Sequence, residues 1–219
     1  MQPEIFALRY EVYCLECGFL DAKKYRDGLE SDEYDTGAAH FVAHNGDNEL
    51  VGSLRLVHPP HSETFPFEER CYDLFDDIVL PPREESAEIS RLVVRKNYRG
   101  RMGTSSLQGD GQAFAISGPV GAPFQRPQIE RRTHSPEILL GLYRQIYQYS
   151  LRMGIHYWYA AMERPLARAL ARLHFAFTPI GVEVDYFGPV TPYMVDLREL
   201  ERQMAANSPG VLAWFRGEM

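Results

Sequence analysis

A run of seven residues near the middle of the chain, Glu88-Ile89-Ser90-Arg91-Leu92-Val93-Val94, holds the groups best placed to do chemistry. A strand buried on both faces normally reads as a near-continuous apolar stretch, and here three polar side chains interrupt it. By strand alternation Glu88 and Ser90 share a face, while Arg91 takes the other unless a bulge intervenes. A carboxylate such as Glu88 can accept a proton from an attacking ammonium, directly or through water. Backbone N–H groups of the same strand can polarise a carbonyl under attack. The plainer alternative is an edge strand whose charges are solvated.

Two other cations sit oddly in their elements. Arg9 falls on the apolar stripe of a helix expected over 4–17, in line with Ile5, Leu8, Val12 and Leu15. Arg55 alternates with Val51, Ser53 and Val57 on one face of a strand, Leu50, Leu54 and Leu56 taking the other. A charge aimed inward is costly unless paired. The acids of 18–38, among them Asp27, Glu30, Asp32, Glu33 and Asp35, are the available partners, although that segment otherwise reads as a solvated loop. Three inward cations and a cluster of carboxylates predict one polar network inside the fold, and arginine there can grip a carboxylate in a bidentate fork.

The elements that position these groups follow from periodicity and punctuation. Strands are expected at 39–44 and 49–57, joined by the turn Asn45-Gly46-Asp47-Asn48. A Pro-rich excursion over 58–86 leads to a third strand at 87–94. Residues 100–135 are rich in Gly, Ser, Gln, Pro and Arg and read as a mobile insert. Ser135-Pro136-Glu137 then opens a helix to about Met153. A strand at 156–162, a helix opened by Pro165, strands near 181–186 and 192–195, and a helix near 197–206 complete the order. That order predicts a single α+β domain over 1–206, with helices around a mixed, mostly antiparallel sheet, and a tail at 207–219.

The bulk numbers bound the rest. A length of 219 residues with 45% hydrophobic and 24% charged content is ordinary globular composition. Twelve per cent aromatic content fits a roomy apolar site or a filled core equally well. A net charge of -7 argues against general nucleic-acid binding. Met1-Gln2-Pro3-Glu4 has neither a basic nor an apolar leader region, and no apolar run is long enough to span a membrane, so a cytoplasmic protein is expected. Cys14 and Cys17 have a CxxC spacing but lie in a helical pattern without a second pair, so reduced thiols are expected and no metal.

Arg9-Tyr10-Glu11-Val12-Tyr13, Asp32-Glu33-Tyr34-Asp35, Gly52-Ser53-Leu54-Arg55-Leu56 and Glu88-Ile89-Ser90-Arg91 occur in the order seen in autoinducer (acyl-homoserine-lactone) synthases. The chain resembles still more closely their relatives, the acyltransferases associated with PEP-CTERM/exosortase systems and the long-chain N-acyl amino acid synthases. The resemblance implies a GNAT fold with a splayed sheet, an acyl carrier protein or CoA thioester as donor, and a small-molecule amine as acceptor. No permanently bound cofactor is implied, only the acyl-phosphopantetheine co-substrate. Residue by residue it implies catalytic roles for Glu88, Ser90 and Arg91, and an acceptor site lined by Arg9, Asp32, Asp35 and Arg55.

Donor binding falls to Val94, Arg95, Lys96, Arg99 and Arg101. The family's phosphate-loop pattern is only partly matched by Tyr98-Arg99-Gly100-Arg101-Met102-Gly103, which favours a carrier protein over a nucleotide pocket. Arg126, Arg131 and Arg132 of the insert extend the same basic surface, which would steer an acidic carrier. Where many GNAT enzymes carry a Tyr as general acid, this chain reads His174-Phe175-Ala176-Phe177, leaving His174 as the candidate. His156, Tyr157, Trp158 and Tyr159 lie on the strand that flanks the acyl cleft, most of them as core. Autoinducer synthases using S-adenosylmethionine commonly carry a Trp soon after the helix-borne Arg, and none occurs here before Trp158. That disfavours this second reading. A third reading is a GNAT-like binding module without catalysis, which solvent-exposed Glu88 and Arg91 would favour.

Overall fold

The computed structural model describes residues 2–58, 64–71, 73–100, 133–134, 136–186 and 188–218. Apart from Gly100, Thr133 and His134, the expected mobile insert lies outside the described residues, with its Arg101, Arg126, Arg131 and Arg132 and the Ser135 cap.

The chain opens with helix α1 (Gln2–Tyr10), which continues as a π-helical turn over Glu11–Glu16. This wider winding shifts the stripe. Ile5, Leu8, Arg9 and Val12 are buried as the spacing predicts, but Leu15 is 62% exposed and Cys14 is buried instead. Strands β1 (Ala39–His44) and β2 (Leu50–Val57) form the expected hairpin. Its turn is held by the Asn45 side-chain oxygen, which accepts from the backbone N–H groups of Asp47 at 3.0 Å and Glu49 at 2.8 Å. Strand β3 (Ser86–Val94) follows, then the short pair β4 (Arg99–Gly100) and β5 (Thr133–His134).

Helix α2 (Pro136–Met153) presents Leu139, Leu142, Tyr143, Ile146, Tyr147 and Ser150 to the sheet at helical spacing. Gly154, at φ +70°, closes it. After β6 (Tyr157–Met162) come α3 (Arg164–Arg172), the short strands β7 (Thr178–Pro179) and β8 (Val184–Asp185), β9 (Pro189–Asp196) and α4 (Leu197–Asn207). The strand expected near 181–186 is thus reduced to two residues of β8.

The sheet runs β1-β2-β3-β6-β9-β7, with β8 on β9, and every pairing is antiparallel except β3 with β6. That parallel pair is brief. Its register extends only from Ser86 with Tyr157 to Glu88 with Tyr159. Both strands continue past this point without pairing, so the sheet opens into a wedge. A second irregularity lies in β3 opposite β2. Ser53 faces Val93 while Arg55 faces Ser90, so two steps along β2 match three along β3. The extra residue sits at Arg91-Leu92, and Arg91 takes φ +50°.

One face of the sheet, with Leu54, Leu56, Ala87, Ile89, Trp158 and Ala160, packs against α2 and the later helices. Against the other lie α1, with Leu8 and Val12 on Val93, and the segment carrying Phe65 and Phe67, which packs on Tyr159. Residues 209–216, expected as part of a tail, form helix α5 (Pro209–Arg216). Its Phe215 packs edge-on at 4.9 Å against Phe175 and also meets Tyr147. The chain end therefore belongs to the main core. No helix among the described residues is long and apolar enough to cross a membrane. All three cysteines are free, and no metal-binding cluster of His, Cys, Asp or Glu occurs among the described residues.

Because Phe215 is fully enclosed, Phe215→Ala should destabilise the protein by about 3–5 kcal/mol in urea unfolding. A loss below about 1 kcal/mol would return α5 to the status of a dispensable tail.

Candidate active site

Six ionised side chains from four parts of the chain meet on the α1 face of the sheet. Arg9 donates its Nη1 and Nη2 to Asp35 at 2.6 and 3.0 Å and its Nε to Glu30. Arg91 donates to Glu30 at 3.2 Å and to Asp32 at 2.7 Å. Arg55 pairs with Asp32 and, at 3.0 Å, with Asp35. Each cation thus touches two acids and each acid two cations, in a closed ring that alternates in sign. Arg55 Nε also donates to Ser90 Oγ at 3.0 Å, tying the ring to β3.

Local structure explains how the members arrive. Asp32 caps the helical turn Glu33–Asp35, and the Asp35 carboxylate in return accepts from the Asp32 N–H at 2.8 Å. The bulge turns Arg91 toward the side of Ser90 rather than away from it. The two ion pairs offset the strain of a positive φ in a non-glycine residue. Sequence alternation alone places Arg91 on the opposite face, so the bulge is what completes the ring.

The acidic segment is not the solvated loop its composition implies. Glu30 is 0% exposed, and bridging Arg9 to Arg91 makes it as central as any residue the motifs single out. The only sequence signal for it was membership in the acidic run. Burial works against ionisation of Asp35, but the hydrogen bonds and charge of Arg9, with the charge of Arg55, outweigh it and bring its pKa down to about 2.

Glu88 stands outside the ring. It is 2% exposed, and its Oε2 accepts from the Phe67 N–H at 2.9 Å. Burial dominates and pushes its pKa up to about 8, against the Phe67 hydrogen bond and the charges of Arg55 and Arg91, which pull it down. Two acids of one fold are thus driven in opposite directions by their surroundings.

Glu88 also marks the last rung between β3 and β6. Beyond it lies a cavity of about 240 Å³, lined by β3 from Glu88 to Leu92 and by Ala160, Ala161 and Met162 of β6. Tyr13, Phe19, Phe67, Tyr143 and Leu166 contribute to its largely apolar wall. The Tyr13 hydroxyl donates to the Leu92 carbonyl at 3.1 Å, a group the bulge and the divergence leave off the ladder. Of the residues expected to be catalytic, Glu88, Ser90 and Arg91 all line this cavity.

Of the expected donor residues, Val94, Arg95 and Lys96 fall elsewhere. Val94 is buried in the core, the Arg95 N–H donates to the Val51 carbonyl at 2.8 Å, and Lys96 is exposed. Arg99 pairs through its backbone with His134. Val94, Arg95 and Lys96 do not line the cavity. His174 approaches Ser208 at 3.3 Å where α4 meets α5, so it too is away from the cavity wall. Of the aromatic run on β6, Trp158 is core and Tyr159 packs at a tilt on Phe67; the cavity instead meets Ala160, Ala161 and Met162, which follow them.

Residues 8–108 match the family model of the acetyltransferase (GNAT) domain. Among solved structures the fold is similar to TofI, in a ternary complex with an inhibitor and MTA, with TM-score 0.61 and 16% identity over 90% of this chain and 84% of that one. It is similar to BjaI, a CoA-dependent acyl-homoserine lactone synthase with SAM and isopentyl-CoA, with TM-score 0.58 and 21% identity over 94% and 82%. It is also similar to FeeM, an N-acyl amino acid synthase from uncultured soil microbes, with TM-score 0.53 and 14% identity over 93% and 89%. At these identities the likeness carries the fold, which is the GNAT fold with its splayed mixed sheet.

Removing one member of the ring strands two others. Arg9→Met should cost about 3–5 kcal/mol at pH 7, because Glu30 and Asp35 stay buried without it. Asp35 supplies a pH signature as well. Its folded pKa of about 2 lies below its ordinary 3.8, so its contribution is complete above that ordinary value and disappears as pH falls toward 2. Urea unfolding of Asp35→Asn from pH 6 to 2 should give a flatter curve in that window than the wild type. Parallel curves would mean that Asp35 is not held by its arginines.

Proposed function

We propose that this chain is an N-acyltransferase that moves a long-chain fatty acyl group from an acyl carrier protein thioester to the amine of an amino acid or a related small molecule. The observation that carries this reading is Glu88, a buried carboxylate of raised pKa set where two strands part over an apolar cavity. The GNAT domain match and the fold support acyl transfer as the class of reaction. The carrier-protein donor, the amino-acid acceptor and the PEP-CTERM/exosortase association rest on the motif resemblance. We place the activity in the cytoplasm, where such carriers are charged.

In this mechanism the acceptor's ammonium gives a proton to Glu88, directly or through one water, and the freed amine attacks the thioester carbon. The C–N bond forms as the carbonyl oxygen takes up charge. Backbone N–H groups of β3 beyond Glu88, which β6 does not pair, face the gap and stabilise that oxygen. The C–S bond then breaks and the phosphopantetheine sulfur leaves as a thiolate. Of the two protons the ammonium sheds, one ends on the thiol and the other passes from Glu88 to solvent. Arg9, Asp32, Asp35 and Arg55 hold the wall of the acceptor site. Arg91, which the ring carries to the cavity lining, contacts the acceptor, with Ser90 beside it. Exposed Glu88 and Arg91 would favour a binding module without catalysis, whereas Glu88 is enclosed and Arg91 half-buried.

The purified protein, incubated with long-chain acyl carrier protein and a panel of amino acids, should release at least one N-acyl amino acid by mass spectrometry. With S-adenosylmethionine as acceptor it should release nothing; an acyl-homoserine lactone there would replace this reading with that of an autoinducer synthase.

Glu88→Gln should lower kcat by about 10²–10⁴. The wild-type rate should climb with pH to about 8, where Glu88 is ionised, and the variant should lack this limb. Stability moves the other way. The folded protein holds the Glu88 proton up to about 8 and the unfolded chain only to about its ordinary 4.5, so the wild type loses stability as pH rises between them. The Gln variant should therefore melt no lower than the wild type at pH 8. Equal losses of turnover and stability would make Glu88 part of the scaffold.

A further inference from the structure

The polar groups that line the cavity are nearly all engaged. Glu88 accepts from the Phe67 N–H, Ser90 from Arg55, and Arg91 is held by Glu30 and Asp32. Tyr13 donates to the Leu92 carbonyl. Glu163 is only half-buried, so water can serve its carboxylate.

Tyr143 is different. It reaches the cavity from α2, is 1% exposed, and packs its ring on Phe175 at 4.9 Å and Trp158 at 6.1 Å. Those aromatic contacts fix the ring. They offer nothing to the hydroxyl, which has no hydrogen-bond partner among the described residues. Burial alone pushes its pKa up, with no neighbouring charge or hydrogen bond contributing, so the phenol stays a neutral donor rather than an acid.

A buried hydroxyl without a partner costs about 1–3 kcal/mol once water is expelled from it. A phenylalanine would fill the same aromatic niche without that cost. An unsubstituted alkyl chain entering the cavity displaces water from this hydroxyl and gives nothing back. A chain bearing an oxygen at the right place accepts the hydrogen bond instead. Sites built to hydrogen-bond a substrate oxygen discriminate strongly against the analogue that lacks it, because the site's own group is then stranded.

We propose that Tyr143 is a specificity-determining residue: the cavity is built for an acyl chain that carries a hydroxyl or oxo oxygen, which the Tyr143 phenol recognises as donor. The position of α2 on the sheet face opposite Phe67 and Glu88 puts this contact on the chain, away from the reacting carbonyl. The inference rests on the acyl-transfer reading for the nature of the occupant.

The test is made by binding, so that it does not depend on transfer. Free fatty acids of equal length, one unsubstituted and the others hydroxylated or oxidised to the ketone at successive positions, compete for the protein against a fluorescent fatty acid. At least one oxygen-bearing isomer should bind wild type about tenfold more tightly than the unsubstituted acid. In Tyr143→Phe, which keeps the ring contacts, that advantage should vanish while the unsubstituted acid binds as well or better. No advantage for any isomer in the wild type, or an advantage that survives in Tyr143→Phe, overturns the assignment. If no fatty acid competes at all, the cavity is not an acyl site. If selective binding appears without acyl transfer in the separate assay, the reaction fails while the specificity stands.

Discussion

Alternating charge in a closed loop is the constraint on which this structure turns. Arg9, Glu30, Arg91, Asp32, Arg55 and Asp35 each meet two neighbours of opposite sign; four are buried, and Arg91 and Asp32 are half-buried. Isolated, any one of them would face a desolvation penalty of several kcal/mol. As a ring they balance, with no net charge to solvate. Glu88 lies next to this ring without joining it. Its high pKa follows from burial, which outweighs the Phe67 hydrogen bond and the charges of Arg55 and Arg91.

The ring also decides where backbone irregularity can be tolerated. A positive φ at Arg91 and a bulge in a central strand are costly in isolation, yet two ion pairs fix the side chain that results. Bulge, Tyr13 contact and strand divergence fall within a few residues of one another on β3. The ladder is thus most irregular where a ligand needs free backbone groups; the other register shift, at Ala43–His44, lies at the far end of the hairpin.

Much of this could be read from residue order, for reasons that differ by element. Arg9 betrayed itself because a cation on an apolar helical stripe needs a partner, and Arg55 and Glu88 did so on strands. The hairpin at 45–48 was legible because its turn chemistry is local. Glu30 was not, since an acid in an acidic run looks solvated until cations arrive from helix α1 and strand β3. Leu15 was misplaced because a π-helical turn changes the period midway. Helix α5 was missed because its burial depends on Tyr147 and Phe175, both far away in sequence. Tyr143 gave no signal at all, for on a helical stripe a tyrosine that fills a core and one that faces a ligand look alike.

The three rungs from Ser86 to Glu88 are the whole parallel seam between the front half of the sheet and the back half. Seen mechanically, the molecule is two blades joined at a short hinge, with helix packing on one side to keep them from rocking. An occupant lodged in the gap touches both blades at once and works as a brace. Such an occupant binds the folded protein and not the unfolded chain, so it adds its own binding free energy to the stability of a sheet joined by only three rungs.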